Sequence, residues 1–447
     1  MENAEEARKI VIQCSMSYDM LDENDAKLAT GECEAAIDQA YVTLFPKFGD
    51  ILPFHLRQIT TVEAENYRIT LHLSSKQKFV LFDLGYCYED FLRNLIGLRN
   101  EVILKDLLMN ETAKKPDVEM EFVYFDETGK EKQRDVGKLR IYETGLGVIP
   151  ENSEVLRIPY SDVANVKEED YSIKIGTELG EQLQISKLGS EFDAFRKALS
   201  DAYNALQNKA ASALTELCPG IDPISLRRIA SIMREGRAAR RSDIERINPK
   251  VWASLEKKIT DMGLNEYYSF LKGLARQEEI SIGFKRGLMG DLTGEYIWFL
   301  MPIYGNAQKE YGNAVAMEAA ETTGEETTGK ATYFFRITSR KDYPTCGTIE
   351  RLDEITDKLL KKINRCMIDI NFRREPVYLP NEKLEEPAYY RYNVAAQKLP
   401  SLRLLRDLYI GRVIHASPEQ WKTDVMDLLR FNVNAQMDNE KWTKSTS

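Results

Sequence analysis

Histidine is almost missing from this chain: there are three, His55, His72 and His415, in 447 residues. No His-Glu-x-x-His, no Gly-x-Ser-x-Gly and no paired Cys-His arrangement occurs, so zinc-hydrolase, triad and histidine general-base chemistry lack their parts. Six cysteines (Cys14, Cys33, Cys87, Cys218, Cys346, Cys366) are scattered with no Cys-x-x-Cys pair. That spacing excludes a zinc knuckle and predicts reduced, mostly buried thiols. Long hydrophobic runs are missing too. The longest, Tyr296 to Tyr304, falls far short of the roughly 20 residues that span a bilayer. The first residues, Met1-Glu-Asn-Ala-Glu-Glu, are acidic where a secretory leader must be basic, which predicts a cytoplasmic protein.

An excess of positive charge is also absent. A net charge of −10 disfavours a general binder of nucleic acid or of anionic membrane, since both are polyanions. Gly324-Glu-Glu-Thr-Thr-Gly329-Lys330 imitates a phosphate-binding loop, but Ala331 stands where Mg²⁺ needs Ser or Thr and a strand pattern follows where a helix is required. It reads as a polar hairpin loop, and no cofactor or metal is expected. Carboxylates are plentiful, 71 in all. An enzyme with an Asp/Glu site therefore stays open as an alternative.

What is there is a long internal repeat. Residues 33–99 lie on residues 137–203 at a constant offset of 104, without a gap. Ile37 falls on Ile141, Pro46 on Pro150, Asn66-Tyr67 on Asp170-Tyr171, Leu84-Gly85 on Leu188-Gly189, Phe91 on Phe195 and Leu95 on Leu199. Solenoid repeats run at roughly 20–50 residues, so a period this long means a duplicated domain. In the second copy, seven short segments between Val118 and Ser186 alternate apolar and polar residues and are punctuated by Gly, Asn or Asp, the pattern of half-buried antiparallel strands. Phe192, Phe195, Leu199, Ala202, Tyr203 and Leu206 then follow at helical spacing. The first copy repeats the order, from Ile10 to Phe82 and on to a helix through Phe91, Leu95 and Leu98.

Seven antiparallel strands closed by one helix resemble the pleckstrin-homology (PH-like) fold, and two in tandem resemble the double PH-like middle domains of the FACT histone chaperone. The resemblance implies two bent sheets, each plugged by its helix, and loops or sheet edges used for binding.

Beyond Leu206 the pattern turns helical. Asp222-Pro223 and Asn248-Pro249 each pair an N-cap with a first-turn proline. Glu279 to Thr338 holds a four-stranded meander, for which a degenerate PH-like unit is one open reading, and Ile349 to Ile370 a long amphipathic helix. Ser417-Pro418-Glu-Gln420 has capping-box spacing before a last helix, and a frayed tail is expected after it. The fold class is therefore α+β, with domains at 1–112 and 113–210 (PH-like), 211–275 (helical), 276–375 (meander plus long helix) and 376–447 (helical, with a frayed tail).

Two charged stretches are candidate binding sites. Lys130, Lys132 and Arg134 resemble the basic spacing by which some PH domains hold phosphoinositide head groups, although carboxylates interleave them. From Pro219 to Lys250, eight Lys or Arg oppose four Asp or Glu. A continuous helix there would gather Arg227, Arg234, Arg237, Arg240 and Arg241 on one side, as a docking face for an acidic partner or nucleic acid. The loop Gly287 to Gly294, with Leu288, Met289 and Leu292, is a candidate partner-binding tip. The expected function is a non-enzymatic scaffold whose tandem module binds a protein or peptide partner. The acidic connection Asp19 to Glu34 favours a basic partner segment, and an anionic-ligand module is the alternative.

Overall fold

The computed structural model describes residues 9–107, 111–286, 295–305, 310–321, 330–343 and 348–443. The first repeat forms β1 (Ile12–Leu21), β2 (Lys27–Ile37), β3 (Tyr41–Pro46), β4 (Leu52–His55), β5 (Ile59–Glu65), β6 (Arg68–Leu73) and β7 (Lys78–Phe82), then helix α1 (Tyr88–Leu107). The strands make one antiparallel sheet in the order β4-β3-β2-β1-β7-β6-β5. Inward residues such as Ile37, Leu44, Leu71 and Leu81 are buried with Phe91 and Leu95 of α1, so the helix supplies the second layer that a one-sided sheet needs.

The second repeat forms β8 (Val118–Phe125), β9 (Glu131–Ile141), β10 (Gly145–Pro150), β11 (Leu156–Pro159), β12 (Val163–Glu169), β13 (Ser172–Thr177) and β14 (Gln182–Ser186), then α2 (Phe192–Leu217). Its sheet has the same order, β11-β10-β9-β8-β14-β13-β12. The correspondence is detailed. Six of the seven strands begin and end 104 residues after their counterparts, the bulge between Ile59 and Thr61 recurs between Val163 and Asn165, and the left-handed pair Asn66-Tyr67 recurs as Asp170-Tyr171. Two successive residues at positive φ are what a two-residue hairpin turn demands. Two seven-stranded antiparallel sheets, each followed by a helix, fit the tandem PH-like expectation.

One expectation needs correction. Asp19 to Glu34 is not a free acidic connection, because β1 and β2 stay paired as far as Leu21 and Lys27, leaving only a tight turn between them. Its counterpart likewise puts Lys132 and Arg134 on strand β9 rather than in a loop.

Helices α3 (Pro223–Ile232), α4 (Arg241–Ile247), α5 (Pro249–Asp261) and α6 (Asn265–Leu274) follow, with the two-residue strand β15 (Ala239–Arg240) before α4. The caps act where expected: Asp222 accepts from the Ser225 N–H at 2.9 Å and Asn248 from the Lys250 N–H at 3.1 Å. The meander is β16 (Ser281–Arg286), β17 (Glu295–Ile303), β18 (Ala314–Glu321) and β19 (Ala331–Arg336). Then come α7 (Ile349–Asp369), α8 (Glu375–Tyr378), α9 (Asn381–Leu384), α10 (Tyr390–Lys398), α11 (Pro400–Leu408), β20 (Tyr409–Ile414) and α12 (Pro418–Asn434). The meander is wider than the four strands read from sequence, since β15 and β20 extend its two edges into a six-stranded antiparallel sheet.

That sheet is buried on both faces, which explains the apolar run at β17. Ile297, Phe299 and Met301 join a core with Val251, Leu255 and Leu428 from the helices. Trp298 points the other way, meets the Phe372 ring at 5.2 Å and donates from Nε1 to the Gly236 carbonyl at 2.7 Å. Gly283 makes room for this bond. A Cβ there would lie 2.1 Å from Trp298 Nε1 and 2.4 Å from the Gly236 oxygen.

The chain divides into two compact units. One comprises the chain up to Pro159, Val163–Arg196 and Leu379–Lys398; the other comprises Tyr160–Asp162, Lys197–Tyr378 and the chain from Leu399 on. Both PH-like sheets, α1 and the returning segment with α9 and α10 thus belong to the first.

Candidate interaction surface

Within the first unit, α1 has three tasks. One side of the helix closes its own sheet. A second side covers the outer face of the second sheet at β10 and β11, and a further side receives α10. Alternation sets which residues face out: Leu146 and Val148 point into the second core and are fully buried, so Gly147 and Ile149 point outward. Leu104 of α1 sits so close to Gly147 that a Cβ there would meet it at 3.2 Å. Asn100, also on α1 and buried, donates its amide to the carbonyls of Pro150 (3.3 Å) and Ser153 (3.0 Å) in the β10–β11 loop.

Charge completes this contact. Arg99 donates to the carbonyls of Ile59 and Thr60 in the first repeat and, at 3.0 Å, to Glu154 in the second repeat's loop. Lys398 at the end of α10 bonds the Thr60 carbonyl at 2.8 Å and also pairs with Glu154. Burial acts to raise the Glu154 carboxyl, but the charges of Arg99 and Lys398 outweigh it and hold the group below its ordinary range. Arg140 adds a fork to Glu101 of α1 and another to Asp117.

The same face of the first sheet is open. By the offset of 104, Ile149 corresponds to Phe45, Asn152 to Phe48, Glu154 to Asp50 and Val155 to Ile51. Ile149 and Val155 are 9% and 7% exposed, whereas Phe45 and Ile51 are 40% and 58% exposed and Phe48, at the tip of the β3–β4 loop, is 92% exposed. Leu44 between them is fully buried, so the strand has not turned over. Two large apolar side chains, Phe45 and Ile51, thus stand on a face whose duplicate is covered by a helix, and Phe48 stands beside them at a tip whose counterpart, Asn152, is exposed as well. Asp50 beside them is exposed and makes no ion pair among the described residues. Each of these residues is apolar or acidic in an ordinary strand-and-loop pattern, so sequence reasoning passed over them; only the covered duplicate marks them out.

The candidates chosen from sequence are placed otherwise. Lys130 is exposed at the β8–β9 turn, Lys132 pairs with Asp126 at 3.1 Å, and Arg134 forks onto Glu131 at 2.8 Å. Hydrogen bonds from Thr128, Lys132 and the local backbone hold Asp126 well below the usual carboxylate range. The acidic residues of the first repeat are matched in the same way, Asp19 by Lys27, Glu23 by Lys76, Asp25 by Lys78 and Glu32 by Lys47.

No continuous helix carries the arginines. The chain leaves α3 at Met233, and Glu235 and Gly236 take φ of +55° and +80°, which breaks the helix before β15. Arg227 is exposed on α3. Arg234 bonds Tyr203, Arg240 pairs with Glu279 and Asp357, and Arg241 pairs with Glu245 at 2.9 Å. Arg237 feels the charge of Asp162. The five are not gathered on one face.

Of the histidines, His55 accepts the Arg57 N–H at 3.0 Å and caps the turn after β4; burial, then the Arg57 charge, push its pKa down to about 4. His415 stacks on Tyr267 at 3.8 Å and places Nε2 3.1 Å from Glu318, which accepts from Thr332. Both side chains of that pair are buried, so the arrangement is a packed polar core. Among the described residues no group of three or more His, Cys, Asp and Glu is placed to hold a metal ion, and no helix is long and apolar enough to cross a membrane. Cys14, Cys33, Cys218 and Cys366 are buried free thiols and Cys87 is half-buried. Burial pushes Cys14 up to about 12 and Cys33 to about 11. Cys346, the loop from Gly287 to Gly294, the Gly324 to Gly329 loop and the chain's last four residues lie outside the described residues.

No protein-family model matches the chain, and no curated protein matches its sequence. Solved structures do match in part. A chain of the Spt16D–Pob3N heterodimer aligns with 38% of this chain and 85% of its own length, at 12% identity and a TM-score of 0.16.

Proposed function

We propose that this chain is a protein-interaction scaffold whose first PH-like repeat docks another protein on the outer face of β3 and β4. One observation carries the reading: Phe45 and Ile51 stand exposed where the duplicated repeat has its equivalent face covered by α1, and Phe48 adds a third apolar side chain at the adjoining loop tip. Large apolar side chains grouped on a rigid sheet are the usual centre of a protein contact, and leaving them in water has a cost that a partner removes. Lys132 and Arg134, paired within their own hairpin, offer little field to an anionic head group, which weakens the anionic-ligand alternative.

The test uses the full chain as bait beside a Phe45→Glu/Ile51→Glu variant, with washes at rising salt. A partner held by apolar contact survives high salt on the wild type and is lost from the variant, whose melting temperature stays unchanged because both side chains are exposed. Equal retention by the two baits would remove the surface from consideration.

A further inference from the structure

The duplication also indicates what form the partner takes. This step rests on the docking surface just proposed. In the second repeat the outer face is covered by a helix, and most of that contact has a counterpart in the first repeat; the exceptions are Arg140, replaced by Ala36, and Gly147, replaced by Thr43, whose side chain holds an incoming helix slightly further out. The carbonyls of Pro150 and Ser153, which accept from Asn100, correspond to those of Pro46 and Gly49; Glu154, which holds Arg99, corresponds to Asp50. Ile149 and Val155 correspond to Phe45 and Ile51. The backbone matches too, since β3 and β4 share the ranges and pairing of β10 and β11 at the same offset.

We infer that the first repeat binds an amphipathic helix of another protein, one that presents an arginine to Asp50, a side-chain amide to the β3–β4 loop carbonyls and an aliphatic residue one turn further on. An extended segment adding to the β4 edge would not use the outer face in this way, because strand addition engages the edge backbone. A second copy of this chain fits poorly. The residues of α2 that correspond to Asn100, Ile103 and Leu104 are Asn204, Gln207 and Asn208, which keep the amide but lose the aliphatic pair. An unpaired Asp50 beside an apolar face selects a basic helix, as the buried amide-to-carbonyl bonds in the duplicate select a polar group at one fixed position.

The probe is a labelled synthetic peptide copying Asp90–Asp106, with Phe91, Leu92, Leu95, Leu98 and Val102 replaced by polar helix formers so that only the stripe of Ile96, Asn100, Ile103 and Leu104 remains. It is titrated with the full chain. Binding is expected to weaken at least about tenfold with Glu101→Pro in the peptide, which breaks the helix, and with Phe45→Glu/Ile51→Glu in the chain. Asp50→Lys in the chain should weaken it about fivefold, and Arg99→Glu in the peptide should restore it on that variant alone. Equal binding of the proline peptide, or no rescue by the charge swap, overturns the helical partner. No binding by any peptide overturns it as well, whereas the salt-resistant bait experiment is decided independently by whether Phe45 and Ile51 are needed.

Discussion

Arg99 of the first repeat and Glu154 of the second form an ion pair at 3.0 Å, with the arginine almost wholly buried. The pair joins two domains through a single helix residue that also bonds two carbonyls of its own sheet. Removing the carboxylate leaves the buried Arg99 with its two carbonyls but no counter-charge, and takes one partner from Lys398. Glu154→Gln is expected to cost about 3 kcal/mol and Arg99→Met about 2–3 kcal/mol. In a double-mutant cycle measured by denaturant unfolding, the two should couple by at least about 1 kcal/mol. Additive effects would mean that this ion pair contributes nothing to holding the repeats together, leaving α1 packing, the Asn100 amide bonds and the Arg140–Glu101 fork.

Phe195 is buried at the start of α2, as Phe91 is in α1. Truncating either aromatic leaves a cavity as well as losing transfer energy, so Phe91→Ala and Phe195→Ala should each cost about 3–5 kcal/mol. An unchanged denaturation midpoint for either variant would remove the helix as the plug of its sheet.

Gly283 is irreplaceable for a different reason. A methyl group there overlaps both partners of the bond from Trp298 to the Gly236 carbonyl. Neither partner can retreat, because the Trp298 ring is fully buried and Gly236 holds a left-handed turn. Gly283→Ala should cost more than about 3 kcal/mol, beyond the ordinary effect of one added methyl group. Tryptophan fluorescence should report the displaced indole before global unfolding.

His55 supplies a pH dependence. Its folded pKa, about 4, lies below the 6.5 of an unperturbed imidazole, so below pH 6.5 the unfolded chain takes up a proton that the folded chain refuses. The stability from a neutral His55 is therefore present above pH 6.5 and lost as pH falls towards 4. Between pH 7 and pH 4.5 the wild type should lose on the order of 2 kcal/mol more than His55→Gln. Parallel losses in the two proteins would rule out this histidine as the source.

Much of the fold was legible because duplication writes the same core twice. Ile37 and Ile141, or Leu81 and Ile185, need only agree in being apolar, and they are buried alike. Tyr67 and Tyr171 agree for another reason. Both are exposed at positive φ, and each ring lies edge-on to the first residue of its closing helix, Tyr88 at 5.4 Å and Phe192 at 5.8 Å. What sequence could not carry was pairing over distance. Ala239–Arg240 becomes a strand only because Ser281 and Ile282 lie beside it, and Tyr409–Ile414 was absorbed into a helical reading although Ile410, Val413 and Ile414 suit a strand. The interaction surface was hidden for the same reason: Phe45 and Ile149 look alike until the position of α1 separates them.

The return of α10 to the first unit bears on how the protein is made. Lys398 closes on the Thr60 carbonyl across 338 residues of chain. At synthesis rates of roughly 5–20 residues per second, about 17–70 s separate the emergence of the two groups from the ribosome. During that interval both PH-like sheets have been translated, but the side of α1 that receives α10 is bare, and Glu154 has Arg99 without its second cation. A nascent chain arrested before Leu379 would present that uncovered side of α1 to chaperones, so the N-terminal half of this protein waits for its C-terminal quarter.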